Sequence, residues 1–266
     1  MNEEQPIVKL KLDVIFKRVF GNENNKDIIA AFLSALLEIP RKDIREIYIN
    51  NVEMPPEYLD QKFSRLDLRL DVDGQTVNVE IQVKKESYFK DRTLFYWSKL
   101  FSEELKVGGE YGELKRTVCM NIINFNLFEC PDYHSYFQVM ENERHEILSD
   151  KFAIHFFELK KVNNAKQHKP MEDWLNLINA ETEGDLMNIQ QTTAIPEVKD
   201  TIVMLRRLSA DEKVRQEAYY REKRLHDEAT ELGTAKREGR AERDNELIQK
   251  WRKKGLTEEQ IRDLLE

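Results

Sequence analysis

A mixed α/β domain with a charged helical C-terminal extension is the fold the sequence predicts, on three observations. Residues 65–85, RLDLRLDVDGQTVNVEIQVKK, alternate apolar and polar side chains on both sides of an Asp-Gly turn, as a half-buried hairpin does. TVCMNIINFNLF (117–128) and FAIHFFEL (152–159) are runs of apolar and β-branched residues suited to buried strands. From Asp211 to Lys254 the chain is charge-dense with few apolar positions, which suits a solvated helix rather than a packed domain.

The elements follow in order. LKLDVIFKRVFG (10–21) sets Leu10, Val14, Ile15, Phe16, Val19 and Phe20 at helical spacing, and Gly21 stops the helix. NKDIIAAFLSALLEI (25–39) is a second, strongly apolar helix closed by Pro40. DIREIYINNVEM (43–54) reads as a strand running into a Pro55-Pro56 loop. After the hairpin, FKDRTLFYWSKLFSEELKVGG (89–109) reads as a helix with Leu94, Trp97, Leu100, Phe101 and Leu105 on its inner side, ended by Gly108-Gly109. The order is then helices, three strands, helix, strand, strand, a mixed α/β arrangement. PMEDWLNLINA (170–180) and IPEVKDTIVMLRRL (195–208) are short helices. In the tail, Ala218, Leu225, Ala229 and Leu232 form a thin apolar stripe, too weak for a coiled coil by itself. GLTEEQIRDLLE (255–266) carries a capping box, Thr257 with Gln260, flanked by a Leu256–Ile261 staple. So short an amphipathic helix needs a partner surface. The expected division is residues 1–165 as the α/β domain, 166–210 as short helices packed on it, and 211–266 as the charged tail.

Composition narrows the function classes. The chain has 266 residues, 40% hydrophobic and 35% charged, and a net charge of −8. That charge argues against a protein that coats nucleic acid by bulk electrostatics, while leaving room for an enzyme with a local basic groove. No eighteen-residue apolar run and no basic-then-apolar leader stands in the sequence, so neither a membrane span nor a signal peptide is expected. Cys119 and Cys130 fit neither a CxxC motif nor a disulfide framework and read as reduced thiols of a cytoplasmic protein.

The hairpin carries the chemistry. A two-residue Asp73-Gly74 turn pairs Val72 with Gln75, Leu70 with Val77 and Leu68 with Val79. On the polar face it sets Asp67 opposite Glu80 and Arg65 opposite Gln82. Opposed residues have Cβ atoms roughly 4.5–5.5 Å apart, and like charges there repel. A divalent cation between the acids resolves the repulsion, and hard oxygen donors suit Mg²⁺ or Mn²⁺. A solvated sheet face also carries such charges, with Arg65 or Arg69 neutralising both acids diagonally, and the residues alone leave both readings open.

Four ordered stretches add context. DVIFKRVFG (13–21), SRLDLRLDVDG (64–74), VNVEIQ (77–82) and DRTLFYWSKL (91–100) resemble the recombination-promoting nuclease (Rpn) family, often labelled transposase, within the PD-(D/E)XK nuclease superfamily. The likeness spans about residues 8–160, and the charged, Gly-punctuated tail suits the same family. It implies a restriction-endonuclease-like core, a mixed central sheet flanked by helices, that hydrolyses DNA phosphodiester bonds with Mg²⁺ or Mn²⁺. Asp67 and Glu80, with the Ile81 carbonyl, are implied as metal ligands. Gln82 stands where the broad motif usually has Lys; it can be neither cation nor general base, so its implied role is to orient water by hydrogen bonding. Lys84, two residues on, is a candidate for the missing charge.

Asp13 is a further candidate acid on the first helix, or a partner of Lys17 four residues later. Arg92 and Tyr96, one turn apart, are candidates to face the scissile phosphate or to support the strands. KKESYFK (84–90) mixes bases with Tyr88 and Phe89, as a nucleic-acid edge does, or as a solvated strand end does. The five histidines read as structural, and VGGEYGEL fits no dinucleotide fingerprint because it follows a helix. Two functions therefore stand: a metal-dependent DNA endonuclease of recombination or mobile elements, and an inactive relative serving as an oligomeric DNA- or protein-binding module. Either is compatible with a homodimer or higher homo-oligomer formed through the C-terminal helices.

Overall fold

The computed structural model describes residues 6–50, 67–105, 108–164 and 169–264. Six strands form one sheet in the order β1-β2-β3-β4-β6-β5. They are β1 (Ile47–Asn50), β2 (Leu68–Val72), β3 (Gln75–Gln82), β4 (Thr117–Ile123), β5 (His134–Phe137) and β6 (Phe152–Glu158). β1–β2, β2–β3 and β5–β6 are antiparallel, while β3–β4 and β4–β6 are parallel. The mixed sheet flanked by helices is the expected α/β architecture, and β4 is buried along its whole length, as a central parallel strand must be.

The hairpin register is the one the turn dictates. Asp73 and Gly74 have φ of 50° and 76°, the two positive values that a type I′ turn requires. Leu68 pairs with Val79, Leu70 with Val77 and Val72 with Gln75. The Asp73 carboxylate also accepts from the Arg45 and Glu46 backbone N–H groups, tying the turn to the entry of β1.

One sheet face is covered by α1 (Asp13–Phe20), α2 (Lys26–Leu37), α4 (Pro170–Asn179), α5 (Glu183–Thr192) and α6 (Pro196–Ala210). At its centre Phe16, Phe20, Phe32 and Trp174 pack ring against ring, with centroids 4.5 to 6.2 Å apart. α1 ends sharply at Gly21, where a Cβ would lie 2.5 Å from the Lys17 carbonyl oxygen. The other face is covered by α3 (Phe89–Glu103), whose Phe89, Tyr96 and Leu100 pack on Cys119, Ile123, Ile154 and Phe156.

The helix phase here corrects the sequence expectation. Leu94 is exposed, and the buried line runs Phe89, Thr93, Tyr96, Leu100. Trp97 is only partly buried, and its indole N–H donates to the Thr117 carbonyl at 2.8 Å. Two elements were not anticipated. β5 is a short edge strand, and α5 buries only Leu186 and Ile189 but is capped by a Thr182–Asp185 box. The Pro55-Pro56 loop, Arg65 and the histidine at position 168 lie outside the described residues.

The chain divides into two compact units, Met1–Tyr219 and Tyr220–Glu266. The charge-dense stretch is one continuous 42-residue helix, α7 (Glu212–Lys253). Within the first unit its start buries Val214 and Ala218, and Arg18 pairs with Glu217. In the second unit α8 (Glu258–Asp263) has the Thr257–Gln260 capping box, and Ile261 is buried.

Candidate active site

The alternation of β2 and β3 puts Val77, Val79 and Ile81 against the α1–α2 side and leaves Asn78, Glu80 and Gln82 on the α3 side. β3 runs in parallel register with β4, so Glu80 lies beside Asn121 and Gln82 beside Ile123. Asp67 immediately precedes β2, and one of its carboxylate oxygens accepts from the Ile81 backbone N–H at 2.8 Å. That bond fixes the acid at the point where β3 passes from the hairpin to its free end, directly beside Glu80.

Both acids are buried. Glu80 is 8% exposed and the Asp67 side chain 10%. Burial pushes the Glu80 carboxyl up to about 8, the Asp67 charge adds to the rise, and Arg92 and the Asn78 amide oppose it. Burial also pushes Asp67 above the ordinary carboxylate range, with the Asp13 charge adding to it, against Lys17 and the Ile81 N–H. Lys17 reaches from α1 to place its ammonium 3.1 Å from Asp67. Lys17 is thus a counterion of Asp67.

Arg69 does not neutralise the pair. Its guanidinium turns to Glu103 at 3.0 Å and Glu104 at 3.6 Å, near the end of α3. The sequence could not show this, because it depends on where α3 ends over the sheet.

Around the acids, Gln82 and Arg92 form a second cluster. Arg92 Nη2 donates to Gln82 Oε1 at 3.2 Å. Gln82 Nε2 donates to the Lys84 carbonyl at 3.0 Å and to Glu86 at 3.1 Å. The strand ends at Gln82, and the Lys84 carbonyl beyond it accepts from the Gln82 amide. Tyr96, one turn beyond Arg92, lies in the core under α3. Phe89 is also a core residue, 2% exposed, so of the two aromatics in KKESYFK only Tyr88 faces outward. Beneath the site, Thr93 donates to the Asn121 side chain at 3.3 Å, and Asn121 donates to the His155 carbonyl at 3.1 Å.

Glu86 is the residue of this cluster that sequence reasoning missed. It sits within a charge run, where one acid among several lysines gives no signal of its own.

A family model described as PD-(D/E)XK nuclease family transposase matches residues 10–235. The chain belongs to that family. No curated protein and no solved structure matches it. As a family member it is a nuclease-type protein with a nuclease or mobile-element role; Glu80 and Gln82 lie on β3, and Asp67 stands one residue before β2.

The donor chemistry suits the divalent metal ion typical of this family. Two carboxylates converge in a buried setting where the second negative charge is costly, and a hard divalent cation is the counterion that two such oxygens prefer. Among the described residues, no group of three or more His, Cys, Asp or Glu side chains could hold a metal. Any ion here would therefore complete its shell with backbone carbonyls, water or substrate oxygens, as Mg²⁺ commonly does.

Metal-free stability should carry the mark of Glu80. Between pH 4.5 and about 8 the folded protein keeps a proton on Glu80 that the unfolded chain has released. Stability contributed by this group therefore falls as pH rises through that window. In EDTA, Glu80→Gln is expected to raise the thermal midpoint over wild type at about pH 8.5 and to leave it nearly unchanged at about pH 5. An equal effect at both pH values would contradict the buried, proton-holding Glu80.

Proposed function

We propose that the protein is a divalent-metal-dependent DNA endonuclease acting in recombination or on mobile elements. The observation that supports the reading best is the Asp67–Glu80 pair, two buried carboxylates facing one another across the hairpin of a chain that belongs to a nuclease family. A Mg²⁺ or Mn²⁺ ion held there supplies polarisation of the scissile phosphate and a lowered pKa for the attacking water.

The chain's own residues do the rest. Asp67 is held in place through one oxygen by the Ile81 N–H, while the other lies 3.1 Å from the Lys17 ammonium. Glu80 accepts from the Asn78 amide at 3.4 Å and from the Asp67 backbone N–H, and the Arg92 charge acts on it. Lys17 neutralises Asp67 in the metal-free protein. Gln82 offers an amide beside the acids that can orient a water by hydrogen bonding. Arg92, through its charge on Glu80 and its bond to Gln82, puts a cation near developing negative charge. Asp13 contributes negative charge to the same place. Lys84 and Tyr96 are given no contact with substrate in this reading.

Free thiols at buried Cys119 and exposed Cys130 support a reducing, cytoplasmic setting. Among the described residues no helix is long and apolar enough to cross a membrane. DNA is the proposed partner. For the chain itself we propose homodimerisation through α7, whose Leu232 is more than half exposed and whose Leu225 and Ala229 continue the same stripe.

Two outcomes test these statements. With Mg²⁺ or Mn²⁺, wild type should nick or linearise plasmid DNA, and Asp67→Ala or Glu80→Ala should each lose on the order of 10³-fold in rate. Cleavage that survives either substitution at full rate would remove the assignment of the pair. Deleting residues 220–266 should leave a monomer where the full chain is a dimer by light scattering, and a truncated chain that is still dimeric would exclude the tail as the dimer contact.

A further inference from the structure

The loop joining β3 to α3 places one carboxylate, Glu86, between Gln82 and Arg92. Glu86 accepts from Gln82 Nε2 at 3.1 Å through one oxygen and from Arg92 Nη1 at 2.6 Å through the other. The second terminal nitrogen of Arg92 donates to Gln82 Oε1. The guanidinium is seated over the Phe89 ring, 4.9 Å from its centroid, and Phe89 is itself buried. Arg92 is thus oriented from below by an apolar contact and from the side by Gln82. Its remaining donor edge points at Glu86. Two neighbouring lysines are engaged elsewhere: Lys85 in the loop donates to the Asn126 carbonyl, and Lys90 in the first turn of α3 lies over Phe128.

A carboxylate bridging an amide N–H and a guanidinium uses the fork geometry that the same donors offer to two oxygens of a phosphodiester. Arg92 also adjoins the acid pair, since its charge acts on Glu80. Position 82 is neutral, so the cation next to the acids comes from α3. The carboxylate that holds it is 43% exposed, on a loop, where it can swing away.

Resting on the nuclease reading above, we propose that Glu86 is an intramolecular stand-in for the scissile phosphate. It holds Gln82 and Arg92 in their substrate-binding arrangement and must be displaced before DNA can engage them. The latch keeps the donors ordered, and it raises the DNA concentration needed for binding, because only the unlatched fraction accepts substrate. Glu86 is a positioning residue in this account, acting through Arg92.

The test uses the full chain and a labelled DNA duplex in EDTA, followed by fluorescence anisotropy. Glu86→Gln is expected to tighten binding about tenfold, the worth of one charge-assisted hydrogen bond released from competition. Asp91→Asn removes the same charge from an exposed position in the first turn of α3, and is expected to change affinity by less than about twofold. In an Arg92→Ala background the gain from Glu86→Gln should vanish. With Mg²⁺ present, the gain should appear as a lower KM at similar kcat.

The latch is overturned if Glu86→Gln binds no tighter than wild type, if Asp91→Asn gains as much, or if the gain persists without Arg92. A lowered thermal midpoint with no gain in affinity would make Glu86 a structural brace instead. Wild type that cleaves DNA while Glu86→Gln behaves identically overturns the latch alone. If no variant binds or cleaves DNA, the nuclease reading fails and the latch with it.

Discussion

Two carboxylates forced to share the buried end of a hairpin set the terms for everything around them. A two-residue turn fixes the register as far as Leu68 and Val79, which brings Asp67 beside Glu80 at the next step, and the register is enforced by the apolar face of the same strands. A one-residue slip would bury Arg69 and Asp71 in the aromatic core and expose Leu68 and Leu70. The pair is therefore protected by hydrophobic burial that has no direct part in its chemistry. What remains is an electrostatic cost that Lys17 from one side of the sheet and Arg92 from the other partly offset.

The architecture brings those two cations to one strand end. α1 supplies Lys17 from the face packed by Phe16, Phe20, Phe32 and Trp174. α3 supplies Arg92 from the opposite face, over the parallel β3–β4 pair. β4 and β6 contribute no charge to the acid pair. Their role is to hold Asn121 under Thr93 and so seat α3 at the height where Arg92 reaches Gln82. A separate buried pair, Glu158 with Lys161 at 2.7 Å, ties down the loop after β4: Glu158 accepts from the Leu127 N–H, and Lys161 donates to the Phe128 and Cys130 carbonyls.

What could be read in the sequence was what is locally determined. Asp73-Gly74 gave the turn because both residues tolerate positive φ, and the pairing of Leu68 with Val79, Leu70 with Val77 and Val72 with Gln75 followed from it. β4 and β6 were legible because buried parallel strands are apolar on both faces. The phase of α3 was not, since Leu94, Trp97 and Leu100 trace a stripe that overlaps the true one, and the packing on β4 selects Tyr96 over Leu94. β5 escaped because HSYF is short and polar, as edge strands are. α5 escaped because two buried residues make too thin a stripe, although its capping box was present. The partners of Lys17, Arg69 and Glu86 were illegible in principle: each contact joins segments whose approach is decided by the tertiary fold.

The account stands on the acid pair as a cation site. Calorimetric titration of Mn²⁺ into the metal-free protein at about pH 7, repeated in buffers of different ionisation enthalpy, addresses it directly. One site is expected in wild type, lost in Asp67→Ala, with protons released on binding because Glu80 gives up the proton that its burial retains. Binding that is absent in wild type, or unchanged in Asp67→Ala, would contradict the account and leave Asp67 and Glu80 as buried acids with Lys17 and Arg92 as their permanent counterions.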